Sequence, residues 1–169
     1  MDHLKKLILI LIASLLLFFY PIKVLQVYIF DQGERFDEII YQSAVKTNDE
    51  VTVKWTHSVS IRPVYETYSI NDDFKFDVKE MIFDTYSANL PSQPEGDTKW
   101  EFREDAIRVY NYDIEFDEIP IVIGAVRANH ILLFKDDRIV LKDRYRPGGY
   151  VKVRVVKKSL LSYVLKEVI

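Results

Sequence analysis

The sequence predicts an all-β fold, an antiparallel β-sandwich or open barrel, with one N-terminal transmembrane helix and a short C-terminal amphipathic helix. Three observations lead there. Eleven Tyr and ten Phe stand among abundant Val and Ile, the residue types that fill pleated, half-buried surfaces. Short segments alternate apolar and polar residues. Turn-forming clusters of Asn, Asp, Pro and Gly separate those segments at close intervals.

The chain opens on Lys5-Lys6 followed by Leu7 to Tyr20, which is apolar apart from Ser14. Apolar sequence continues past Pro21 as Ile22-Lys23-Val24-Leu25-Gln26-Val27. A spanning helix takes about 20 residues, and Leu7 to Val27 supplies them if Lys23 reaches the interface. The bulky residues after Tyr20 offer no small-residue cleavage site, so an uncleaved anchor is expected rather than a signal peptide. Lys5 and Lys6 set the N-terminus in the cytoplasm and the rest outside, giving a cell-membrane, single-pass protein. The expected divisions are residues 1–30 as tip and anchor, 31–158 as the extracytoplasmic β-domain, and 159–169 as the terminal helix.

Strands are expected at Val51 to Trp55, Tyr65 to Ile70, Phe74 to Val78, Trp100 to Phe102, Ile107 to Tyr112, Ile119 to Ile123, Ile131 to Phe134, Ile139 to Leu141 and Tyr150 to Val156. The turns between them include Asn71-Asp72-Asp73, Asp136-Asp137 and Pro147-Gly148-Gly149. One long loop runs from about Ser87 to Lys99. At the end, Leu160, Leu161, Val164, Leu165 and Val168 recur at helical spacing behind a capping Ser159.

Several function classes drop out. Without Cys there are no disulfides, thiolate metal sites or cysteine nucleophiles. Five Gly cannot assemble a phosphate-cradling loop, and no Gly-x-Ser-x-Gly elbow occurs. Net charge is −3 but uneven. Asp31 to Glu118 holds 21 acidic and 9 basic residues, net −12, whereas Ile119 to Ile169 holds 4 acidic and 11 basic, net +7. The two parts can neutralise each other within one fold, or the basic part can face a membrane or partner. The acidic balance disfavours nucleic acid.

Val51 to Asn71 carries the candidate site. A turn at Ser60-Ile61-Arg62-Pro63 sets Val53 opposite Ile70, Trp55 opposite Tyr68 and His57 opposite Glu66, all on one face. The other face bears Thr52, Lys54, Thr56, Thr67 and Ser69. His57 and Glu66 are then expected as a hydrogen-bonded pair at the rim of the core, with Arg62 able to approach Glu66. Trp55 and Tyr68 would floor a ligand pocket that Glu95 or His130 closes. Ser58 is expected to leave the opposite strand face from His57, which disfavours a Ser-His-Asp hydrolase. His57, Glu66 and His130 could form a zinc trio, but no spacing demands one; no metal and no cofactor is expected. Trp100, Tyr110 and Tyr112 are further pocket candidates, with core packing as the alternative.

His57-Ser58-Val59 followed by Pro63-Val64-Tyr65-Glu66-Thr67-Tyr68 resembles a His-Ser-Val-x(3)-Pro-Val-x-Glu-x-Tyr signature. It belongs to the bacterial domain-of-unknown-function 1850 family, often encoded beside TAXI-type TRAP transporters. Leu90-Pro91 and Glu95-Gly96 are similar to that family's second motif, a Gly-Ala-Gly-Leu-Pro run and then Glu-Gly; Ser87 and Asn89 stand where it carries glycine. Arg127 and His130 resemble a weaker third block. The resemblance covers roughly residues 50 to 155. It implies an exported domain, an accessory to solute uptake whose partners are the membrane and a TRAP transporter membrane subunit or solute-binding protein.

Two functions remain open from the sequence. One is a membrane-anchored accessory or binding module whose ligand contacts include His57, Ser58, Arg62, Glu66, Tyr68, Glu95 and His130. The other is a membrane-anchored enzyme with His57 and Glu66 as an acid–base pair. The lack of a second catalytic constellation favours the first.

Overall fold

A computed structural model of the chain describes residues 2–30 and 38–167. The helix α1 covers Asp2–Phe19, and twelve strands and a second helix follow. The strands are β1 (Pro21–Ile29), β2 (Ile39–Ala44), β3 (Glu50–Thr56), β4 (Pro63–Ile70), β5 (Phe76–Phe83), β6 (Lys99–Phe102), β7 (Ile107–Tyr110), β8 (Glu115–Phe116), β9 (Ile119–Val122), β10 (Ile131–Phe134), β11 (Asp137–Val140) and β12 (Tyr150–Ser159). Helix α2 spans Leu160–Glu167. The expected all-β body is present as two antiparallel sheets. One has the order β2-β1-β12-β9; the other runs β11-β10-β3-β4-β5-β7-β6, with β8 attached to β5.

The sheets share a core. Leu25, Val27, Ile119, Ile121, Val151 and Val153 of the smaller sheet pack with Val51, Val53, Tyr68, Ile70, Phe76, Leu132 and Phe134 of the larger. A second, smaller cluster of Val64, Phe83 and Val109, packed against by Trp100, lies on β4, β5 and β7 of the larger sheet.

The expected transmembrane segment is corrected. Helix α1 ends at Phe19, and Pro21 opens β1. Proline has no N–H to continue the helix and biases the preceding residue towards extended backbone. Residues 21–29 are therefore not part of a span: β1 sits in the interior of its sheet, paired with β12 and β2. Its even positions are as buried as its odd ones. Gln26 is 0 % exposed and accepts from Arg154, and the Tyr28 hydroxyl donates to Glu118. A strand covered on both faces reads as one apolar run, which mimics a helix in the sequence. No helix among the described residues is long and apolar enough to cross a membrane. The apolar stretch Leu7 to Phe19 nevertheless stands exposed on most sides.

Helix α2 forms as the spacing predicts, with the Ser159 hydroxyl accepting the Ser162 N–H. Val168 lies outside the described residues, as does the division placed at residue 31.

The β3–β4 register also differs from expectation. Val53 faces Glu66, Val51 faces Tyr68 and Trp55 faces Val64, a slip of four residues. The His57 N–H donates to the Arg62 carbonyl at 2.8 Å, closing the four-residue loop Ser58 to Ile61. The His57 ring stabilises this loop from inside: Nδ1 accepts the N–H groups of Val59 and Ser60. Pro63 then begins β4, where its missing donor costs no ladder bond from the turn. A slip by an even number keeps every side chain on its face, so the expected inward face of Val53, Trp55, Glu66 and Tyr68 stands.

Candidate functional site

The β3–β4 turn of the first motif and the loop of the second are joined by two hydrogen bonds of one side chain. His57 Nε2 donates to the Ala88 carbonyl at 2.8 Å, while Nδ1 also accepts from the Ser87 hydroxyl at 3.2 Å. With Nδ1 accepting three donors, the ring proton sits on Nε2. His57 is 8 % exposed and fixes the loop after β5 against the β3–β4 turn. Both its nitrogens are occupied within the fold, so it is not a free base.

Asn89 follows with φ +64°, a left-handed conformation that glycine adopts freely and that asparagine tolerates among other residues. The position where the family signature carries glycine thus keeps a glycine-like backbone. Gly96, at φ +55°, turns the far end of the same loop.

Two clefts open on either side of this loop, and Glu66, Asn89 and Leu90 line both. The first, about 420 Å³, is lined by Trp55, His57, Ser58, Tyr68, Ile121 and His130 among others. The second, about 600 Å³, is walled by Met81, Leu90, Pro91, Tyr112 and Phe116, and carries Glu95, Asp97 and Asp113 beside Glu66. A third, polar groove of about 930 Å³ shares the Asn111–Ile114 segment and includes Lys79, Tyr110 and Arg108.

Five of the expected residues, His57, Ser58, Glu66, Tyr68 and His130, therefore line one cleft, and Glu95 joins Glu66 in the other. Arg62 lines neither. Its guanidinium pairs with Asp84 instead of approaching Glu66, and holds the Asp84 carboxyl below the ordinary carboxylate range. Glu66 lies opposite Val53 rather than His57, and His57 spends its hydrogen bonds on the loop. Of the aromatic candidates, Tyr112 lines the larger cleft, Tyr110 the polar groove, and Trp100 packs edge-on to Phe83 in the small core. Asn89, Leu90 and Tyr112 complete the site; the second motif marks Asn89 and Leu90 in the sequence without assigning them a ligand, and Tyr112 is marked as an aromatic on a strand pattern.

Electrostatics single out Glu66. Burial pushes its carboxyl above the ordinary range, with the adjacent Tyr68 hydroxyl pulling partly the other way. No basic side chain pairs with it among the described residues. Burial also pushes the Tyr68 hydroxyl well up, and Glu66 adds to that. The Tyr112 hydroxyl is pushed up to about 12, by burial first and then by Glu66 and Glu95, and its buried oxygen has no hydrogen-bond partner.

His130 is held from the opposite side. A Cβ at Gly124 would overlap the Ala128 carbonyl, so only glycine allows the chain to double back there. That turn aims the Gly124 N–H at His130 Nδ1, 3.1 Å away. The ring stacks on Trp55, with centroids 6.2 Å apart and planes at 17°. Burial lowers its pKa. The neutral ring accepts at Nδ1 and so carries its proton on Nε2. Among the described residues, no group of three or more His, Asp or Glu stands close enough to hold a metal ion.

The family described as Domain of unknown function (DUF1850) matches residues 51–141. No curated protein matches the chain, and no solved structure does.

Proposed function

The chain belongs to the family described as Domain of unknown function (DUF1850), and on that premise we propose that it is a membrane-associated, extracytoplasmic binding module serving a TAXI-type TRAP transporter. The observation that carries the binding part is the cleft pair centred on Glu66. The loop that separates the two clefts is shaped by the motif residue His57, which ties it down at Ala88, and by Asn89, which turns it where the family's motif carries glycine. Concave, largely apolar clefts of several hundred Å³ with a few placed polar groups are the usual form of small-ligand sites.

An enzyme built on a His57/Glu66 acid–base pair receives less support. A general base needs a nitrogen free to meet substrate, and both of His57's are engaged within the fold.

The membrane part rests on α1. Its exposed Leu, Ile and Phe side chains from Leu7 to Phe19 need a covering, and Lys5 and Lys6 suit an anionic headgroup layer. The transporter partnership rests on what the resemblance implies and is associational, and the outward location rests on that and on Lys5 and Lys6. Uptake by a TAXI-type TRAP transporter of the same cell, measured with and without this gene, tests the partnership. Reduced uptake together with cross-linking to the membrane subunit or its solute-binding protein is expected. Unchanged uptake without cross-links rules the partnership out.

A further inference from the structure

We infer that the larger cleft takes an organic cation with an apolar body, its charged end held by Glu66. The inference rests on the binding-module reading and names the ligand class of that site.

Charge points one way. The residues lining the 600 Å³ cleft include Glu66, Glu95, Asp97 and Asp113, and no Lys, Arg or His. Of the basic side chains nearby, Lys79 lines the adjoining groove and not this cleft, and the two arginines are bound by other carboxylates. Arg108, in the adjoining groove, is bound by Glu80 and Glu101, and Arg62 by Asp84. Glu66 is the deepest of the four carboxylates: it sits mid-strand in β4, opposite Val53 and Met81, while the others stand on loops. A mostly buried carboxylate without a cationic partner is costly in its ionised form, and an incoming cation removes that cost.

The walls say what accompanies the charge. Met81, Leu90, Pro91, Val109 and Phe116 give an apolar lining, and the Tyr112 ring stands among them. An aromatic face beside carboxylates is a favourable surface for an ammonium or guanidinium group. The buried, unpartnered Tyr112 hydroxyl supplies one further polar contact. A bare metal ion does not suit this arrangement, because the carboxylates do not converge closely enough to ligate one. An anion would meet four carboxylates and no basic group.

Three probes with one indole body separate charge from shape: tryptamine, tryptophol and indole-3-propionate, which are cationic, neutral and anionic. Each is titrated into the full chain in detergent micelles while backbone amide shifts are followed by NMR. Tryptamine is expected to give saturable shifts at Asn89, Asn111 and Tyr112, and to bind at least about tenfold more tightly than tryptophol. Indole-3-propionate is expected not to saturate. Glu66→Gln should erase the preference for tryptamine over tryptophol. Glu95→Gln, on an exposed loop, should reduce it while leaving the fold intact. Equal binding of tryptamine and tryptophol, or a preference unaltered by Glu66→Gln, overturns the cation assignment but leaves a binding cleft. Tighter binding of the anion overturns it too. Diffuse, non-saturating shifts with all three probes overturn it as well. The uptake experiment stands apart from every one of these results, so the module's service to a transporter can fail or survive separately.

Discussion

Replacing His57 with Ala should unfold the domain more readily rather than only weaken its cleft. The side chain makes one short bond, Nε2–H to the Ala88 carbonyl at 2.8 Å, with a net value of about 1 kcal/mol. Its Nδ1 accepts from Val59 N–H, Ser60 N–H and the Ser87 hydroxyl at 3.2 to 3.4 Å. One lone pair shared by three long bonds contributes roughly another 1 kcal/mol. Emptying the space of a buried imidazole costs roughly 1–2 kcal/mol more, reduced by whatever collapse the turn permits. The total is about 3 kcal/mol. For a chain of this size that lowers the melting temperature by about 6–12 °C. His57→Gln keeps a donor for Ala88 and should recover about a third of the loss. Thermal unfolding followed by circular dichroism, with urea titration at fixed temperature, measures both. A His57→Ala protein within about 1 kcal/mol of the parent would refute the reasoning and return His57 to the ligand.

Asn89→Ala should cost on the order of 1 kcal/mol, because alanine lacks the short polar side chain that lets asparagine hold φ +64°, whereas Asn89→Gly should be nearly neutral; equal melting temperatures for the two would show that the loop relaxes. Glu66 has a folded pKa above its unfolded one, so its contribution is intact below the ordinary carboxylate range and declines as pH rises through the raised folded value. Glu66→Gln should therefore match the parent's stability near about pH 3.5 and exceed it near neutrality, and parallel stability–pH curves would sink the idea. Asp84 has the opposite sign: Arg62 depresses its pKa, so the stability of that pair is present at neutral pH and lost on acidification; an Arg62→Ala protein should show a shallower acid-side decline. A chain that begins at Tyr20 should melt within a few degrees of the parent yet no longer float with anionic vesicles; retained flotation would mean that α1 is not the attachment.

What the sequence disclosed follows a physical divide. β3 buries one face, so alternation betrays it: Val51, Val53 and Trp55 point inward, Thr52 and Lys54 outward. β1 buries both faces and has no alternation to read, which is why its residues joined the expected span. The face of His57 and Glu66 was legible because a strand's period survives any even slip. Their pairing was not, because it depended on a turn closed by the His57 ring itself. The loop from Ser87 to Gly96 was visible as a loop, but its return to His57 is a contact between residues about thirty positions apart, and no local pattern encodes it. The lone hydroxyl of Tyr112 is equally non-local, since it depends on which side chains fail to arrive.

β1 and β12 lie side by side and run in opposite directions, with Pro21 level with Ser159, and the two helices continue from that one end. A tug applied between α1 and α2 would therefore load a single rung at a time, opening the pair like a zipper from Pro21–Ser159 towards Ile29–Val151. The same strands pulled lengthwise from opposite ends would have to shear all their rungs together. The domain is thus mechanically compliant along the one direction in which its two helices can be drawn apart, and β1 and β12 are the strands that would part first.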